Sequence, residues 1–142
     1  MRLTIDALGV DVPVRPVGVE PDGQLEIPDE TEVGWYRLGA SPGEAGASVL
    51  AGHVNWNRVD GPFVRLVQLE PGAIVTVTLS DGSLRTYQVV ERRQYAKTTL
   101  PAERIWTTLG PETLVLITCG GSFNPDIRRY RDNVVVYAVP IA

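Results

Sequence analysis

The chain contains one cysteine, Cys119, and one histidine, His53, and the two stand in matching contexts. Ser48-Val49-Leu50-Ala51-Gly52 leads into His53, and Leu114-Val115-Leu116-Ile117-Thr118 leads into Cys119. Each therefore reads as the last residue of a buried strand, met at once by a polar or glycine-rich loop. Gly120 and Gly121 follow the cysteine, and a thiol at a strand end beside backbone without Cβ is open to a reacting partner. A thiol becomes a useful nucleophile when a nearby base or cation populates its thiolate, and a Cys/His pair is a recurring arrangement for that. Arg131 stands just before another apolar run, Asn133 to Val139, and brings a guanidinium toward the same place from an adjacent strand end. Fixed there, it can donate two hydrogen bonds to a developing oxyanion. Each residue also has a plainer reading. Free cysteine packs as a small hydrophobe, a lone histidine is often structural, and Arg128 and Arg129 compete with Arg131 as solvated strand-end cations.

Short strands must carry these residues. Alternation at Val10, Val12 and Val14 predicts a half-exposed strand, which Pro13 and Pro16 place at an edge or bend. Pro21-Asp22-Gly23 is a turn, and Leu25 to Pro28 a brief extended piece. The loop from Gly39 to Gly46 is too poor in large apolar residues to be core. Phe63 to Leu69 has the spacing of one or two helical turns. Ala73 to Leu79 and Leu84 to Tyr95 are strands joined by a hairpin at Ser80-Asp81-Gly82-Ser83. The long connection from Ala96 to Pro111 reads as mostly irregular with room for a short helix, and such connections are often functional. Seven or eight short strands with hairpin turns predict an all-β barrel or sandwich, one domain over residues 1–142.

Composition removes several functions. A net charge of −4 argues against a general affinity for nucleic acid or anionic lipid, both of which need a basic face. One cysteine excludes an internal disulfide, and with one histidine it falls short of a four-ligand zinc site. Asp22, Asp29, Asp60 and Asp81 are scattered singly over turns, which leaves a two-carboxylate hydrolase unsupported. The glycines lack the strand and helix context of nucleotide-binding loops. No run of about 18 apolar residues spans a bilayer. Arg2, Asp6 and Asp11 interrupt any signal-peptide pattern. Trp35, Trp56 and Trp106 could line a ligand groove or simply belong to the core or its rim.

Leu50-Ala51-Gly52-His53, the segment ending Ile117-Thr118-Cys119, and Tyr130-Arg131-Asp132-Asn133-Val134-Val135-Val136 resemble the three signature segments of the sortases. These are cysteine transpeptidases of the Gram-positive cell surface. The resemblance extends over nearly the whole chain, through Arg2 to Ile5, Val33 to Tyr36 and Pro42-Gly43-Glu44. The Cys-Gly-Gly-Ser-Phe and Tyr-Arg-Asp-Asn segments are most similar to the actinobacterial class F, with class E next.

The resemblance implies a closed β-barrel of about eight strands with one or two short helices. It implies Cys119 as nucleophile, His53 as general acid/base and Arg131 as the oxyanion-stabilising cation. Thr118, Gly120 and Trp106 would lie along the substrate groove, with the Ala96 to Pro111 connection as one wall. The implied substrate is a Leu-Pro-x-Thr-Gly-like (LPXTG-like) sorting motif, cleaved after threonine through a thioacyl-enzyme and passed to an amine on peptidoglycan or a pilin. No cofactor is implied. Only Glu103 is acidic in that connection, so the calcium activation of some class A members is not expected. The expected place of work is the outer face of the cytoplasmic membrane, as a monomer, with the family's amino-terminal anchor missing from this chain. Two other readings remain open, a non-catalytic β-domain binding an extended peptide or wall component, and a plain cysteine peptidase.

Overall fold

The computed structural model describes residues 1–18, 21, 31–56, 59–96, 100–119, 123–124, 129–130 and 133–141. Leu3 and Ile5 of β1 (Arg2–Ile5) face inward between more exposed neighbours, the period-2 signature of a half-buried strand. The same logic runs through most of β2 (Val10–Val17) and through β7 (Ile74–Thr78), whereas β3 (Val33–Tyr36) buries Val33 and Gly34 together and leaves Trp35 and Tyr36 half-buried. With β4 (Ala47–His53), β8 (Leu84–Tyr95), β9 (Thr113–Cys119) and β12 (Asn133–Pro140) they form a closed barrel in the order β1-β2-β3-β4-β9-β12-β8-β7. Leu3 opposite Val77 closes the ring. The predicted all-β barrel is the observed fold. Two-residue ribbons pair β5 (Asn55–Trp56) with β6 (Val59–Asp60), and β10 (Phe123–Asn124) with β11 (Arg129–Tyr130).

The prolines of β2 correct one expectation. β2 is not an edge strand, because it pairs with both β1 and β3. The pairings divide it, however: Val10 to Pro13 register with β1, and Val14 to Val17 register with β3. Each half is therefore open on one side, which is where a residue without an N–H can sit in a ladder. The stretch from Phe63 to Leu69 contains one 3-10 turn, Leu66–Gln68. Pro21 apart, the turn at Pro21-Asp22-Gly23 and the extended piece at Leu25 to Pro28 lie outside the described residues.

Two apolar layers explain why β4 and β9 are apolar at nearly every position. Leu50, Leu114 and Leu116 point into the barrel beside Leu3, Val77 and Tyr87. Ala47, Val49, Ala51, Val115 and Ile117 point outward under a second cluster. Its lid is α1 (Ala102–Ile105), a single helical turn whose Ile105 is fully buried, with Leu100 and Trp106 packed beside it. Trp106 meets the Tyr36 ring edge-on at 5.2 Å.

One charged clasp also ties α1 to the barrel. Arg104 donates from Nη2 to Glu91 Oε1 at 2.6 Å, and its guanidinium lies 3.5 Å over the Tyr137 ring. Hydrogen bonds from Arg104 and Arg93 hold the Glu91 carboxyl at about 2, against an ordinary 4.5. A carboxyl depressed in this way stabilises the fold fully above pH 4.5, and that contribution fades as the pH falls toward 2. Both side chains are partly exposed, 45% for Arg104 and 27% for Glu91, so solvent screens the pair. A double-mutant cycle of Arg104→Ala and Glu91→Ala should give a coupling of about 0.2–1 kcal/mol near pH 7. The same cycle repeated below pH 3 should show the coupling shrinking.

Candidate functional site

β4 and β9 run parallel, and their register ends at His53 opposite Cys119. The apolar runs that predicted two strand ends have therefore put the only histidine and the only cysteine on neighbouring backbone positions at one end of the barrel. Asn133, where β12 begins, belongs to the same end and registers with Tyr95 at the close of β8. His53 is 2% exposed, so its imidazole is a dry group.

The loop after His53 is wound tightly around it. Phe63 N–H donates to the His53 carbonyl at 3.0 Å, and Gly61 N–H donates to the Val54 carbonyl at 2.8 Å. Phe63 is fully buried against Gly52, where a Cβ would sit 2.9 Å from its ring. Gly61 presses on the histidine itself: a Cβ there would overlap the His53 carbonyl oxygen and lie 2.7 Å from the His53 Cβ. Gly61→Ala must therefore push residue 53 from its place. The expected cost is about 1–3 kcal/mol of stability, the scale of overpacking. Thermal unfolding and turnover measured together should both show the loss, and an unchanged melting temperature would contradict the contact.

Thr118 is 3% exposed, and its hydroxyl accepts the Val134 N–H at 2.9 Å while its carbonyl accepts from Asn133 Nδ2 at 2.5 Å. Trp106 stands on the outer layer that covers β4 and β9, half-buried at the end of α1. Gly120 and Arg131 lie outside the described residues, as does Arg128. The ribbon of β10 and β11 occupies the connection read as simply polar, and Arg129 is part of it. The contacts made by Asn133 and Gly61 were missed from the sequence. A polar residue heading the run Asn133-Val134-Val135-Val136 was the available signal for the first.

A hollow of about 480 Å3 opens elsewhere, on the outer face between α1 and β12, lined by Val90, Arg104, Leu109, Pro111, Tyr137 and Val139. None of these belongs to the strand ends that carry His53 and Cys119, so the register rather than the hollow locates the candidate site. Among the described residues no group of three or more His, Cys, Asp or Glu side chains is placed to hold a metal ion.

Residues 3–141 match the family model described as the Sortase domain. The chain belongs to the sortase family. Solved structures share the fold at low identity. A sortase D5 transpeptidase from Clostridium perfringens superposes with a TM-score of 0.72 at 21% identity, over 99% of this chain and 78% of that one. Sortase C1 from Streptococcus agalactiae gives 0.74 at 20%, over 99% and 66%. A lid mutant of sortase A from Corynebacterium diphtheriae gives 0.75 at 16%, over 99% and 69%. This chain thus spans 66% to 78% of the length of these structures. No curated protein sequence matches it.

Proposed function

We propose that this chain is the catalytic domain of a cysteine transpeptidase that cleaves an LPXTG-like sorting motif between Thr and Gly and transfers the acyl group to an amine. The observation that carries the reading is the pairing of His53 with Cys119 at the end of the parallel β4–β9 ladder, in a chain of the sortase family. Cys119 attacks the threonine carbonyl as a thiolate. Arg131 holds the oxyanion, and His53 delivers a proton to the departing glycine amine, so the C–N bond breaks as the thioester forms. An amine then attacks the thioester, its proton passes to His53, and the C–S bond breaks to release Cys119 as the thiolate, which restores the starting pair.

Thr118, Gly120 and Trp106 line the path of the bound peptide, Thr118 through the backbone that it holds in place. The family works at the cell surface, and the acceptor is an amine of peptidoglycan or a pilin. Among the described residues no helix is long and apolar enough to cross a membrane. The Cys-Gly-Gly-Ser-Phe and Tyr-Arg-Asp-Asn segments favour class F, then class E, within the family.

The test is product analysis of a Leu-Pro-x-Thr-Gly peptide with and without an added amine. A transpeptidase yields the aminolysis product when the amine is present. Hydrolysis alone under both conditions would make the chain a plain cysteine peptidase, and an intact peptide would leave a binding domain.

A further inference from the structure

β12 is a strand with two partners that part company from it at different points. Toward β8 the register begins at Asn133 opposite Tyr95. Toward β9 it begins only at Val135 opposite Ile117. The rung between, Val134 against Thr118, is closed by side chains instead of backbone. Val134 N–H donates to Thr118 Oγ1 at 2.9 Å, and Asn133 Nδ2 donates to the Thr118 carbonyl at 2.5 Å.

Both residues are dry, with Thr118 3% and Asn133 8% exposed. A buried N–H or C=O left unpaired is costly, so a ladder cannot simply stop inside the protein. The hydroxyl and the carboxamide let β9 and β12 diverge here with those groups satisfied. The place is informative: the Thr118 carbonyl shares one peptide plane with the Cys119 N–H, and Asn133 follows Arg131 by two residues.

We infer that Asn133 is a positioning residue for the transpeptidase reaction: its carboxamide grips the peptide unit that leads into Cys119 and so sets the thiol-bearing strand end against the strand that follows Arg131. The inference rests on the transpeptidase reading above. A neutral donor is what the contact requires, since a carboxylate would face the carbonyl oxygen with like partial charge, and leucine of similar size would donate nothing.

The experiment compares wild type, Asn133→Leu and Asn133→Asp in two assays. Steady-state cleavage of a Leu-Pro-x-Thr-Gly peptide is expressed per titrated thiol of folded protein. Alkylation of Cys119 by a thiol reagent is followed against pH, with no substrate present. Both variants are expected to lose about 10- to 100-fold in kcat with KM within about twofold, the scale of a 1 Å misplacement at a reacting centre. Their alkylation profiles are expected to shift from that of wild type.

Unchanged kcat and alkylation in variants that remain folded would overturn the assignment. So would a rise in KM at constant kcat, which marks a substrate contact. Failure of both variants to fold would also overturn it, making Asn133 a determinant of the fold. If wild type turns over no motif peptide, the transpeptidase reading fails instead, and the alkylation profiles still decide whether Asn133 positions the thiol.

Discussion

Cys119→Ala should reduce cleavage and transfer of a Leu-Pro-x-Thr-Gly peptide to background while the barrel stays folded. No second thiol exists to substitute, because Cys119 is the only cysteine in the chain. The change removes one sulfur at the last position of β9, beyond the strand's apolar run, and leaves the β4–β9 ladder with all its backbone donors and acceptors. His53→Ala should cost turnover on the scale of a lost general acid/base, about 100- to 10,000-fold. His53 is a buried side chain, so this variant also leaves a void and should melt lower than Cys119→Ala. Circular dichroism and a melting curve beside the activity assay separate the two losses. Near-normal turnover in folded Cys119→Ala would remove the cysteine from the chemistry.

Arg131→Ala carries the second large effect. An oxyanion donor acts mainly in the transition state, so kcat should fall roughly 100- to 1,000-fold at similar KM. Arg131→Lys should recover only part of it, because an ammonium keeps the charge and loses the planar pair of donors. Arg128→Ala and Arg129→Ala should be mild. Arg129 lies in the ribbon paired with Asn124, one residue further from β12 than Tyr130. If either of those substitutions proves the damaging one, the guanidinium has been assigned to the wrong arginine.

The barrel was legible because its strands announce themselves in two different ways. β1, β2 and β7 alternate, and so read as strands with one wet face. β4 and β9 are apolar at nearly every position because α1 and its neighbours cover their outer side, and a double burial of that kind gives a near-continuous run. His53 and Cys119 were legible for the same reason, each being where such a run stops. That the two runs lie side by side and parallel is a tertiary fact with no local trace, since the residues between them belong to four other described strands, a 3-10 turn and α1. Pro13 and Pro16 misled because a strand can be an edge along half its length and interior by topology.

Gly61 read as the end of a loop, and nothing in Gly61-Pro62 tells that a missing Cβ makes room for the His53 carbonyl eight residues earlier; only the packed turn does. Asn133 was likewise read as the start of a strand. Its contact with Thr118 depends on where the β9–β12 register stops, which the pattern Asn-Val-Val-Val leaves open.

The most direct measurement is intact-protein and peptide mass spectrometry of the wild-type chain mixed with a Leu-Pro-x-Thr-Gly peptide at low amine concentration. The account predicts a mass gain equal to the fragment ending in threonine, carried on Cys119 as a thioester, released on adding an amine and absent from Cys119→Ala. Turnover with no adduct on Cys119 in a rapidly quenched reaction, or an adduct on any other residue, would contradict it.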